Sequence, residues 1–381
     1  MNDRPSDRSH DMEKMFSRFA AAYIADRDLR GSVEFPFSVW KAMGEEGLLG
    51  LSVPERFGGM GGSLQAVSRA GEALVREGHN LGIAVSWLIH QITAGSIIAR
   101  VADEGKKELL LPGLARGGAT ACLAVSEPGT GAHPKHLKTK ARRHKEGFVI
   151  TGEKTYLTNG PIADLFIIIA VTAVEGGKNR CTAFLVPRET PGLSPTPPLD
   201  LPFLRPSPHG GIILDDCPVT ADAVLGPAGT AYEDMVVPLR EYEDILTMGP
   251  VLGAMEYQLK LLAGVLAIEA ADMDRAKGPL GELRYYIDSL RILAREAARL
   301  LDGWRNAGER LSLTLFFRTA ARTFQERIAA FRNEFPRSDS AELRDMAEDL
   351  NALLAVAGRA AETKGRKLGE SVLAGVDRES P

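Results

Sequence analysis

From about residue 12 to residue 117, apolar side chains recur at three- and four-residue spacing, the period of helices that bury one face. Residues 36–49 predict one such helix, stopped by Gly50. The stretch from Ser52 to Gly62 is a loop by its glycine content, and Ser63 reads as the cap of a helix over 64–76. Two more helices are predicted over 81–101 and 104–115. Between about 119 and 226 the period shortens toward two. Residues 137–143 alternate, 148–151 are rich in β-branched types, and 164–171, 180–187 and 211–215 read as further strands. From Tyr232 onward the pattern is helical again, with long amphipathic segments at 280–306, 311–333 and 341–369. The expected architecture is α+β: an N-terminal all-α domain (1–118), a middle antiparallel β-barrel or sandwich domain (119–228) and a C-terminal α-helical bundle (229–381).

Composition narrows the function without choosing it. The 381 residues suffice for two or three packed units. A net charge of −4 gives no global pull toward nucleic acid or acidic membranes. No unbroken apolar run reaches the roughly 18 residues of a membrane span, and the polar start predicts no signal peptide. A cytoplasmic protein is expected. Cys122, Cys181 and Cys217 are too far apart to suggest a disulfide framework or a metal cluster, so no metal site is expected.

The chemistry concentrates between Ala121 and Gly160. A short apolar run enters Ser126-Glu127-Pro128-Gly129-Thr130-Gly131. Two strand-like segments later comes Gly152-Glu153-Lys154-Thr155-Tyr156-Leu157-Thr158-Asn159-Gly160. A strand that breaks into a Pro/Gly turn exposes backbone N–H groups and a hydroxyl, which suits a planar, oxygen-rich ligand. The block closely resembles the middle domain of the acyl-CoA dehydrogenases, where T-E-P-G-x-G-S-D and G-x-K-x-W-I-T-N hold the ring of FAD. Trp40 to Gly62, Leu204-Arg205-Pro206-Ser207 and Leu214-Asp215-Asp216-Cys217 resemble other family motifs in order, over roughly residues 36–255.

The resemblance implies FAD-dependent α,β-dehydrogenation of an acyl-CoA, by α-proton abstraction and β-hydride transfer to flavin N5. It also implies an electron-transfer flavoprotein or similar acceptor, and a homo-oligomer or a hetero-oligomer with a homologous subunit. It assigns flavin contacts to Val125, Ser126, Gly131, Tyr156 and Thr158. Ala132 and His133 stand where the family has Ser-Asp beside the acyl-CoA. One family position for the base is a helical glutamate ten residues before a glycine, in a segment resembling E-R-x-x-x-A-x-G-P-x-G; Glu243 stands at that point ahead of Gly249-Pro250 and Gly253, with Asp244 where the family usually has arginine. Beside Glu241 and Asp244 the same residue would also suit a solvated acidic face.

Two family motifs for the FAD pyrophosphate and adenine, R-x-x-F-G and Q-x-x-G-G-x-G, are missing. Ala267 to Met273 and Ala355 to Arg359 stand near their positions. The alternative expectation is therefore a catalytically silent or cofactor-sharing subunit of a heteromeric enzyme. The run of cations from Lys135 to Lys145 suits either CoA phosphates or the wet face of an edge strand.

Overall fold

The computed structural model describes residues 5–32, 34–266, 270–356 and 358–376. Helices α1 (Pro5–Tyr23), α2 (Phe37–Glu45) and α3 (Leu64–Gly78) come first, then α4 (Leu81–Gln91). A π-helical segment, Ile92–Ile98, carries α4 into α5 (Ala99–Val101), and α6 (Glu104–Ala115) follows. Ser63 Oγ caps α3 by accepting from the Ala66 amide at 3.2 Å, as its residue type predicts. α2 ends earlier than the periodicity suggests, because Gly47 takes a left-handed φ of +76° and turns the chain. The Leu81–Val101 stretch is the one described helix apolar and long enough to cross a bilayer, yet 83% of its apolar window is buried inside the protein. It is the central core helix, and Trp87 within it is fully buried.

The strands β1 (Ala121–Ala124), β2 (Lys140–His144), β3 (Gly147–Thr158), β4 (Leu165–Glu175), β5 (Lys178–Pro187), β6 (Leu193–Pro195), β7 (His209–Thr220) and β8 (Val224–Leu225) form one sheet. Its order is β6-β7-β3-β2-β4-β5-β8, mostly antiparallel, with β1 added parallel to β4. The sheet is thus mixed, a refinement of the all-antiparallel expectation. β4 explains its own continuous apolar run. Phe166, Ile168 and Ala170 face a core enclosed by the sheet, while Ile167, Ile169 and Val171 face the helices. A strand buried on both sides needs no polar alternation.

The helices α7 (Val237–Leu246), α8 (Met248–Leu266), α9 (Ala270–Asp302), α10 (Ala307–Glu334), α11 (Ala341–Ala355) and α12 (Gly358–Val376) complete the chain. The 341–369 segment is two helices. Arg318 and Arg322 on α10 donate to the Leu354 carbonyl at 2.9 and 3.0 Å, taking up a carbonyl of the last turn of α11. Gly249 and Gly253 lie one turn apart on α8. A Cβ on either would fall 2.0 or 2.3 Å from a carbonyl of α3, so glycine is what lets these helices cross closely. That crossing fixes where α7, immediately upstream, can lie.

Candidate active site

Two buried charges hold the Ser126–Gly131 turn in place. Lys154, fully buried on β3, donates to Glu127 Oε1 at 2.9 Å and to the Val125 carbonyl at 3.0 Å. Glu127 also accepts from the Lys138 and Thr139 amides at 2.6 and 2.9 Å. Burial alone would raise the Glu127 pKa. Lys154 and the amide donors outweigh it and hold the carboxyl below its usual range. The Thr155 amide donates to the Ser126 carbonyl at 2.9 Å, which ties the turn directly to β3. The Glu127–Lys154 pair is not visible in the sequence, because residues 27 apart carry no local signal of contact.

The candidate ligand-facing residues are distributed around this brace. Val125 is buried, and Ser126 and Thr158 are half-buried. Gly129 and Gly131 take φ of +74° and +58°, and no atom lies within 4 Å of where a Cβ would stand. Tyr156 sits at a bulge in β3 with φ +55° and a ring that is 67% exposed. The Thr130 hydroxyl and Asn159 Oδ1 are buried without a partner among the described residues. An open turn beside an exposed aromatic face and unpaired polar atoms is a donor and acceptor set that fits a flat, oxygen-rich ring system such as a flavin. These residues would hold it at the end of β1 and along β3.

A second element closes on the same turn. The Ala132 carbonyl accepts from Tyr232 Oη at 3.1 Å and from Arg240 at 2.9 Å. Arg240 lies three residues before Glu243 on α7, so the two share a helix face. The acidic trio on α7 then separates. Glu241 is ion-paired with the buried Arg310 at 2.9 Å, and Asp244 with Lys364 at 2.8 Å. Glu243 is partly buried, and its carboxylate has no hydrogen bond or ion pair among the described residues. Burial foremost, then Asp244, pushes its pKa up to about 7, against the pull of Arg240. A fully solvated acidic face would leave the carboxyl in the ordinary range, whereas Glu243 is partly buried and raised.

Other flagged residues fall elsewhere. His133 is exposed and stacks at a tilt on His136. Lys135, Lys138, Lys140 and Lys145 are exposed; only Lys140 lies on β2, where it makes that strand's single pairing with β4, and the others flank the strand. His90 is fully buried against Trp40, donates to the Leu114 carbonyl, and is held down to about 4 by burial. Glu269 lies outside the described residues, as does the side chain of Asp272. Arg275 is engaged within its own chain, with Glu334 at 3.2 Å.

Comparison with known proteins identifies the family. Residues 6–118 match the acyl-CoA dehydrogenase N-terminal domain, and residues 122–217 match the acyl-CoA dehydrogenase middle domain. An L-prolyl-[peptidyl-carrier protein] dehydrogenase of Pseudomonas fluorescens is 31% identical over 75% of each chain. A mitochondrial isovaleryl-CoA dehydrogenase of Oryza sativa is 31% identical over 64% of this chain and 60% of its own. The butyryl-CoA dehydrogenase of Megasphaera elsdenii shares the fold across 98% of this chain and 100% of its own, with a TM-score of 0.86 at 20% identity. Its span takes in the C-terminal helices, where the sequence motifs depart. The chain belongs to the acyl-CoA dehydrogenase family of FAD-dependent oxidoreductases.

Proposed function

We propose that this protein desaturates an acyl thioester at the α,β bond, with Glu243 as the base. The observation that carries this reading is an unpaired carboxyl raised to about 7, on a helix whose preceding turn is clamped to the flavin-type loop. A base works best when its pKa lies near the operating pH. Glu243 takes the α-proton, and FAD, when bound, supplies the acceptor for the β-hydride. The acyl chain leaves with one C=C bond and two fewer electrons. Val125, Ser126, Gly131, Tyr156 and Thr158 hold the flavin, and Ala132 and His133 line the thioester end. Without the family's serine hydroxyl, Ala132 contributes shape and its carbonyl is already taken by Tyr232 and Arg240.

Electrons pass on to a separate carrier such as an electron-transfer flavoprotein, and the protein works in the cytoplasm as an oligomer. The substrate is an acyl-CoA. The Pseudomonas relative's name makes a carrier-protein thioester the second class to try. The first test is the visible spectrum of the chain purified alone and then titrated with FAD. Flavin bands at near-stoichiometric occupancy support the reading. A chain that stays colourless alone and colours only with a homologous subunit makes it the cofactor-sharing partner of a heteromer.

A further inference from the structure

Behind Thr158 stands a side chain that the dehydrogenation chemistry does not require. Thr158, the last residue of β3, and His209, the first of β7, are directly paired across the ladder. Thr158 Oγ1 lies 3.1 Å from His209 Nε2, and His209 Nδ1 lies 3.0 Å from the Ser207 carbonyl. A carbonyl oxygen has no proton to give, so Nδ1 carries the hydrogen and donates it. A neutral imidazole protonated at Nδ1 is bare at Nε2. Nε2 therefore accepts, and the Thr158 hydroxyl must donate to it.

The support of His209 is fixed on both sides. The Ser207 hydroxyl meets that of Ser86 at 3.0 Å, and the Pro208 carbonyl accepts from the Asn159 amide at 2.8 Å. The Arg205 carbonyl accepts from Asn80 Nδ2, and the Leu204 amide donates to the buried Asp349. Burial also holds His209 below the usual histidine range, so it is neutral at pH 7. The ring cannot swing to free the threonine without breaking the Ser207 contact.

We infer that His209 is a positioning residue that fixes the direction of the Thr158 hydroxyl, so that Thr158 offers the cofactor ring only acceptor capacity. This rests on the proposed function, read with Thr158 at the N5 edge of the flavin. Flavin N5 is a bare acceptor when oxidised and an N–H donor when reduced. An acceptor-only threonine matches the reduced ring and leaves the oxidised one unmatched. The His209–Thr158 pair thus biases the bound cofactor toward the state it reaches after taking a hydride.

Two measurements test this on the full chain. In protein carrying ¹⁵N-labelled histidine, with His209 assigned by its loss in His209→Gln, long-range ¹⁵N–¹H spectra before FAD addition should show Nδ1 protonated and Nε2 bare. A proton on Nε2 overturns the inference. The potential of bound FAD is then compared in wild type, His209→Leu and His209→Gln. Leucine frees the hydroxyl to donate to the oxidised ring. One hydrogen bond is worth up to about a tenfold change, or about 30 mV lower for a two-electron couple. Glutamine can still offer an oxygen to Thr158 and should restore the wild-type value. In a Thr158→Val background the histidine substitution should have no effect. Equal potentials in wild type and His209→Leu, with FAD bound by both, overturn the inference alone. Failure of the wild type to take up FAD, alone or with a partner subunit, overturns the flavin reading and this inference with it.

Discussion

Glu127 is buried and Glu243 partly buried, and the protein treats them in opposite ways. Glu127 at the flavin-type turn receives a buried lysine and two backbone amides, and its pKa falls. Glu243 on α7 receives nothing from the described residues, and its pKa rises to about 7. A buried carboxylate without partners costs stability, which folds ordinarily avoid by pairing it. On α7 itself the two neighbouring acids are paired, so cations are within reach of this helix and only Glu243 is left out. The contrast is what the proposed roles require: a carboxylate that fixes shape against one that can change charge state near pH 7.

Substitutions can break that contrast, and the largest effect is expected at the reacting group. Glu243→Gln should lower kcat by about 10²–10⁴, the usual contribution of a positioned base, while FAD uptake stays intact and the fold is not weakened. At the brace the loss should be in folding instead. Lys154→Met strands the Glu127 carboxylate and should cost about 3–5 kcal/mol in denaturant unfolding. The double variant Lys154→Met/Glu127→Leu should recover much of that cost, which would show that the penalty is the stranded charge.

Stability against pH gives a smaller and more diagnostic effect. The folded pKa of Glu243 is raised above its unfolded value near 4.5, so ionising it opposes folding. The penalty is absent below about pH 4.5, grows as pH rises, and is complete above about 7. Glu243→Gln should therefore be more stable than wild type by about 1–3 kcal/mol at pH 8. The two should be equally stable at pH 4. The smallest effect belongs to a neighbour. Asp244 helps raise Glu243, so Asp244→Asn should move the acid limb of the kcat/KM profile to lower pH by less than about one unit.

The helix–strand–helix order was legible because each part has its own hydrophobic period, and the Ser63 cap because its residue type announces it. Glu243 was singled out by resemblance, through its distance from Gly253. Gly249 and Gly253 prove to be a packing device between α3 and α8, which is why the spacing is tied to the position of α7. Whether Glu243 was paired could not be read from sequence. Glu241, Glu243 and Asp244 look alike along the chain, and only Arg310 and Lys364, from distant helices, tell them apart. The Glu127–Lys154 pair and the His209–Thr158 contact were hidden for the same reason. Each joins residues from different strands or turns, and its members look like ordinary loop or strand-end polar residues. At the end of α11, arginines of α10 take up the Leu354 carbonyl, a contact that periodicity does not register.

The most direct measurement is anaerobic mixing of FAD-loaded protein with a panel of straight-chain, branched and aminoacyl thioesters, on CoA and on a carrier protein. Flavin absorbance would be followed from pH 5 to pH 9. The account predicts bleaching by at least one thioester, with a rate that rises through about pH 7 in wild type and is nearly lost in Glu243→Gln. Bleaching that is as fast in Glu243→Gln as in wild type would contradict it, as would a loaded flavin that no thioester reduces.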